Sequence, residues 1–158
     1  TVATGPWTVV LGAGEVQRMS AGSGVEHSEM NASPDETAHL LQIWIFPERN
    51  GLEPGYEQAM FAREDKLNHL RLVGSRDGRD ASLTIHQDVD LYASVLESGY
   101  SVTHDTRADR KLFVQLIRGK LTVNGQSLGA GDGAQLEGEP RLTISASEES
   151  EFLLFDMG

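Results

Sequence analysis

His27 and Glu29 stand two positions apart in the segment Ala21-Gly22-Ser23-Gly24-Val25-Glu26-His27-Ser28-Glu29. Residues i and i+2 of a strand point to the same side, so this spacing directs an imidazole and a carboxylate at one point. Such a pair suits a borderline divalent transition metal such as Fe(II), Mn, Ni, Cu, Co or Zn. Two donors make a poor centre, since three or four are usual, so further ligands are expected to join them. The competing reading is that His27 and Glu29 pair only with each other on a surface strand, as most His-x-Glu occurrences do.

Other chemistries have less to stand on. The chain has no cysteine, which removes thiolate nucleophiles, zinc knuckles and disulfides together. No Gly-x-Ser-x-Gly elbow occurs, so acyl transfer has no visible handle. Gly12 and Gly14 follow the apolar run VVL, as at the start of a dinucleotide-binding unit. Gln17 then holds the third glycine position, MSAGSG breaks the helix that would face a pyrophosphate, and no βαβ alternation surrounds it. Of the remaining histidines, His39 opens an apolar strand as a rim or packing residue and His69 sits in a polar helical turn. His86 and Asp88 share a strand face without further ligands nearby, and His104 lies between strands facing solvent.

The elements that must position the His27/Glu29 pair are strands. Apolar residues alternate or form short β-branched and aromatic runs in WTVVL, HLLQIWIF, SLTIHQ, LYASVL, KLFVQLI, KLTV, RLTIS and EFLLFD, an all-β pattern. Asn124-Gly125 between KLTV and QSLG suits a type I′ hairpin turn. One helical turn is expected within EQAMFAREDKLNHL, and the Pro- and Gly-bearing stretch before it reads as a linker. Trp7, Trp44, Phe46, Phe113, Phe152 and Phe155 are interleaved with aliphatic residues and are expected to pack in cores.

An internal repeat organises these strands. Leu11-Gly12-Ala13-Gly14-Glu15 recurs as Leu128-Gly129-Ala130-Gly131-Asp132, with apolar strands downstream of each copy. Two related β-barrel units follow: residues 1–50 as the later part of the first, 51–62 as a linker and 63–158 as the second. Four candidate strands precede the second copy and only ten residues precede the first, so the first barrel is expected to be incomplete in this chain, without its opening strands. Sheets tolerate uncovered edges and faces badly, so either a further segment or another chain, as in an oligomer, is expected to complete it. In the second unit the positions after the repeat carry Leu142, Ile144 and Ala146 where ligands would stand, so that barrel is expected to be metal-free.

With 24 acidic against 13 basic residues the net charge is −11, a field that repels phosphate backbones, so no nucleic-acid partner is expected. No apolar run approaches the roughly 20 residues needed to span a bilayer, and the first residues lack the pattern of a signal peptide. A soluble, cytoplasmic protein with no membrane partner is the expectation.

The stretch GEVQRMSAGSGVEHSEMN followed by HLLQIWIFPERNGLEPGYEQ closely resembles pirin and bacterial pirin-like proteins. The likeness continues through Asp80-Ala81-Ser82-Leu83, the Ile85-His86-Gln87-Asp88 segment, RKLFVQLIRGKLTVNG and the terminal LLFDM, and so covers nearly all of the chain. It implies a cupin bicupin whose metal sits in the first barrel on an H-x-H pair plus a later H-x-E. His27 and Glu29 match the later pair as metal ligands, and the H-x-H pair has no match here. The implied activity is quercetin 2,3-dioxygenase, in which O2 opens the central ring of a flavonol with loss of carbon monoxide. Glu29 would then be both ligand and catalytic base. The resemblance also leaves two alternatives: a metal-containing regulatory cofactor that binds a transcription-related protein partner, or an inert fragment without the H-x-H ligands.

Overall fold

The computed structural model describes residues 2–4 and 7–158, with side chains from residue 9 onward. The Trp7 side chain expected in a core lies outside that description. The described residues form strands, turns and one 3-10 turn, Arg79–Ala81. Among them no helix is long and apolar enough to cross a membrane.

Residues 71–157 close around one core. Strands β6 (Arg71–Ser75), β7 (Leu83–Thr84), β8 (Val89–Leu96), β10 (Lys111–Arg118), β13 (Gly133–Glu137) and β15 (Ser150–Met157) form a six-stranded sheet in the order β13-β10-β15-β8-β6-β7. Strands β9 (Ser101–Asp105), β11 (Lys120–Val123), β12 (Gln126–Gly129) and β14 (Arg141–Ala146) form a four-stranded sheet in the order β12-β11-β14-β9. All pairings are antiparallel except β6 with β7.

Alternation decides which side chains fill the space between these sheets. On β15, Phe152 and Leu154 are buried inward, and they meet Leu112, Val114 and Leu116 of β10 and Leu142 and Ile144 of β14. The opposite face of the six-stranded sheet forms a second cluster. There Val73, Val89, Leu91 and Ala93 pack with Phe61, and Val16, Ile45 and Ala59 from the earlier part of the chain lie against them. Both faces of the central strands are covered, which is why LYASVL and EFLLFD read as near-continuous apolar runs.

The expected Asn124-Gly125 hairpin is present. Both residues have positive φ, 43° and 86°, and they join β11 to β12 with Val123 opposite Gln126. Two residues of positive φ are the requirement of a type I′ turn.

The earlier residues form two smaller sheets. Strand β1 (Val2–Thr4) lies between β2 (Trp7–Val9) and β4 (His27–Glu29), and β3 (Glu15–Ser20) pairs with β5 (Gly55–Met60). Residues 55–60, within the stretch read as linker, are therefore the partner strand of β3. An Arg18–Glu57 ion pair of 2.6 Å ties these two strands, and Glu57 also accepts the Thr84 backbone N–H at 2.8 Å.

Four local expectations are corrected. HLLQIWIF is extended but forms no strand, and Trp44 and Phe46 are each 88 % exposed instead of packed. Its apolar pattern is that of a strand, yet no described strand offers it a ladder of backbone partners; Ile45 alone packs inward. The helix proposed within EQAMFAREDKLNHL is divided between β5 and a turn, where Asp65 and Lys66 donate to the carbonyls of Ala62 and Arg63. The strand expected over SLTIHQ reduces to Leu83–Thr84, and His86 to Asp88 form a bend in which Asp88 pairs with Arg110 at 3.0 Å. His104 is not between strands facing solvent but within β9, its side chain 12 % exposed.

Candidate metal centre

Strand β4 positions His27 and Glu29. It pairs with β1 so that His27 lies opposite Thr4 and Glu29 opposite Val2, with Ser28 between them opposite Ala3. Pleating turns the two side chains to one side, and His27 Nε2 lies 3.5 Å from Glu29 Oε1. Their side chains are 25 % and 26 % exposed, on a strand whose three residues are exposed as a whole. An imidazole nitrogen and a carboxylate oxygen this close, and partly shielded from water, are a donor set suited to two positions of a first-row divalent ion.

The internal repeat adds a positional argument. His27 and Glu29 lie twelve and fourteen residues beyond Glu15; Ile144 and Ala146 lie at the same distances beyond Asp132. Ile144 and Ala146 are 1 % and 4 % exposed and belong to the core between the two sheets. The two positions that carry metal-type donors in the first unit thus correspond to positions that face a barrel interior in the second.

Among the described residues no group of three or more His, Cys, Asp or Glu side chains converges as a metal site. His39 is exposed in the extended segment, His69 Nδ1 lies 2.9 Å from the Leu67 carbonyl oxygen, and His86 stands in the bend before β8. None of these joins His27.

A second polar cluster, absent from the sequence expectations, lies at one end of the later barrel. His104 Nε2 is 2.7 Å from Asp156 Oδ2, and Arg110 reaches the same carboxylate through Nε, the Asp156 carbonyl through Nη2 at 2.8 Å and Asp88 through Nη1 at 3.0 Å. Burial pushes the Asp156 carboxyl up, but hydrogen bonds from His104, Arg110 and Thr106 outweigh it and hold the group down at about 2. Tyr92 packs its ring 5.1 Å from that of His104, and burial raises its hydroxyl above the usual phenol range. The available signal was parity: Asp156 continues the inward series Phe152, Leu154, and an acid on that face requires a cation or donor opposite.

Comparison with known proteins agrees with this architecture. The family model for the quercetinase C-terminal cupin domain matches residues 72–157, and that for pirin matches residues 5–45. Quercetin 2,3-dioxygenase of Escherichia coli K12 is 44 % identical over 145 residues, covering 92 % of this chain and 62 % of the relative. A pirin-like protein of Caulobacter vibrioides is 37 % identical over 145 residues, covering 91 % of this chain and 62 % of its own length. The chain therefore spans about 62 % of the length of these curated relatives. The crystal structure of Escherichia coli YhhW superposes with a TM-score of 0.92 at 40 % identity, over 99 % of this chain and 66 % of that one. The structure of the same bacterial pirin in complex with nickel(II) gives 0.85 at 44 % identity, over 92 % and 62 %. With an all-β structure and a matching domain over more than half of its residues, the chain belongs to the pirin family of cupin proteins.

Proposed function

We propose that this chain is part of a metal-dependent cupin that cleaves flavonols with dioxygen, a quercetin 2,3-dioxygenase-type oxidoreductase. The observation that carries the reading is the 3.5 Å approach of His27 and Glu29 on β4, at positions whose counterparts in the later unit face a barrel interior. The dioxygenase name and the nickel complex among relatives support it. Residues 1–50 would then belong to the metal-bearing unit and 63–158 to a metal-free second barrel, with additional ligands joining His27 and Glu29 from outside the described cluster.

His27 would hold the ion through Nε2, and Glu29 through a carboxylate oxygen. The ion, when bound, supplies Lewis-acid and redox chemistry toward the flavonol and dioxygen. Glu29 would also serve as the base that takes the flavonol hydroxyl proton, held beside His27 on the same face of β4. Ser28, pointing the other way, contributes no donor.

The test measures metal content and quercetin consumption on the purified protein and on the variants Glu29→Gln and His27→Ala. Glu29→Gln is expected to lower turnover by at least about a hundredfold while metal affinity falls only about tenfold, and His27→Ala to lower metal affinity more. Stoichiometric metal with no quercetin turnover in any preparation would overturn the dioxygenase reading in favour of a metal-containing regulatory protein.

A further inference from the structure

We propose that Gln17 is a substrate-specificity residue of the earlier unit, whose side-chain amide holds a ring hydroxyl of the flavonol at the end remote from the metal. This assignment rests on the dioxygenase reading and extends it from the His27/Glu29 pair to the facing wall.

Parity places the side chain. On β3, Val16 packs against the apolar cluster on the outer face of the six-stranded sheet, as does Ala59, its partner on β5. Gln17 and Met19 stand at the alternate positions and turn the other way, toward the interior of the earlier unit. The repeat agrees. Gln17 and Met19 lie two and four residues beyond Glu15, and Ala134 and Leu136 lie at the same distances beyond Asp132. Ala134 and Leu136 pack against the core between the two later sheets, which also contains Ile144 and Ala146. Gln17, His27 and Glu29 thus hold positions whose counterparts share one interior.

They stand on different walls of it. Strand β3 pairs with β5 and β4 with β1, just as β13 belongs to the six-stranded sheet and β14 to the four-stranded one. Facing sheets lie about 10 Å apart, a distance that a three-ring ligand anchored at the His27/Glu29 wall bridges with its far end.

The Gln17 amide is uncommitted there. Its Oε1 is buried and has no hydrogen-bond partner among the described residues. Gln58, opposite it on β5, is used at both ends: Nε2 donates to Glu15 Oε1 at 2.8 Å, and Oε1 accepts the Tyr56 hydroxyl at 2.6 Å. A buried polar atom without a partner is unfavourable, and it calls for a ligand or water to complete it. An amide oxygen takes a donor without demanding charge, which a phenolic hydroxyl supplies and an apolar ring edge does not. A polyhydroxylated flavonol suits both walls: its 3-hydroxyl and adjacent carbonyl are oxygen donors for a metal, and a hydroxyl on an outer ring can donate to Gln17.

The experiment measures binding of quercetin and of 3-hydroxyflavone, which keeps the metal-binding hydroxyl and lacks the others, to the nickel-loaded protein under argon, where no turnover occurs. The wild type is expected to bind quercetin at least about tenfold more tightly than 3-hydroxyflavone. In Gln17→Met, of similar length but without the amide, that preference is expected to fall below about threefold, with nickel affinity within about twofold of the wild type. Gln17→Leu gives a second reading where the first variant folds poorly. The same preference in wild type and variants, or no preference in the wild type, would overturn the assignment. So would nickel affinity lowered at least about tenfold in both variants, which would make Gln17 a support for the metal ligands. Failure of the nickel-loaded wild type to bind either flavonol would sink the dioxygenase reading itself, and the assignment with it.

Discussion

The Glu15 carboxylate accepts the Gly12 backbone N–H at 2.6 Å, and the Glu15 N–H donates to the Gly12 carbonyl at 3.2 Å, closing a four-residue turn on itself. Asp132 does the same to Gly129, at 2.9 Å in both bonds. Gly14 and Gly131, third in each turn, have φ of 86° and 89°, the conformation a type II turn requires there. The Gly12 bond also holds the Glu15 carboxyl below the usual carboxylate range. The pentapeptide repeat is thus one turn used twice, and it anchors the correspondence between β4 and β14.

Removing the carboxylate from the second turn tests that device. Asp132→Ala is expected to lower the unfolding free energy by on the order of 1 kcal/mol, the worth of one hydrogen bond in a partly solvated setting. Gly131→Ala adds strain at positive φ to a turn that keeps the Gly129–Asp132 bond. Urea unfolding of both variants measures this; an unchanged midpoint in Asp132→Ala would show that the turn closes without its side chain.

Acid should weaken the later barrel through Asp156. Its folded value of about 2 lies below the unfolded value of 3.8, so its stabilisation is fully present above pH 4 and is lost as pH falls toward 2. The contribution is about 2 kcal/mol, and the side chain is only 6 % exposed, so solvent screening is slight. Urea midpoints followed between pH 5 and pH 2 should fall more steeply in the wild type than in Asp156→Asn, which starts less stable because Arg110 loses one of its two carboxylate partners.

Gly119 stands where no side chain fits. Its φ is 87°, and an added Cβ would come within 2.3 Å of the Glu149 carbonyl oxygen and of Ser150 Oγ, which accepts the Lys120 N–H at 2.9 Å. Gly119→Ala is expected to cost about 2 kcal/mol or more by forcing the bulge between Leu116 and Arg118 to shift. Thermal unfolding reads this directly, and a variant as stable as the wild type would mean the bulge is soft.

Two aromatic truncations should differ sharply. Phe152 is fully buried between the sheets, so Phe152→Ala is expected to cost about 3–5 kcal/mol. Phe46, 88 % exposed, is expected to cost under about 0.5 kcal/mol when changed to Ala in this chain. Equal losses in denaturant unfolding would mean that the 39–46 segment is packed in solution.

The sequence by itself determined what depends on near neighbours. Alternation in KLFVQLI, KLTV, RLTIS and EFLLFD led to β10, β11, β14 and β15 because an inward series needs only the period of the pleat. Asn124-Gly125 determined its hairpin because both residues tolerate positive φ, and His-x-Glu determined that His27 and Glu29 share a face. Tertiary structure alone decided what needs a distant partner. HLLQIWIF has the composition of a strand, but a strand exists only where another backbone offers donors and acceptors. His104 and Asp156 are 52 residues apart and on different sheets, and they meet because β9 and β15 end at the same mouth of the barrel. Neither residue's type announces that meeting; it follows from the closure of two sheets around one apolar core, which leaves a buried acid no partner except those that register brings to it.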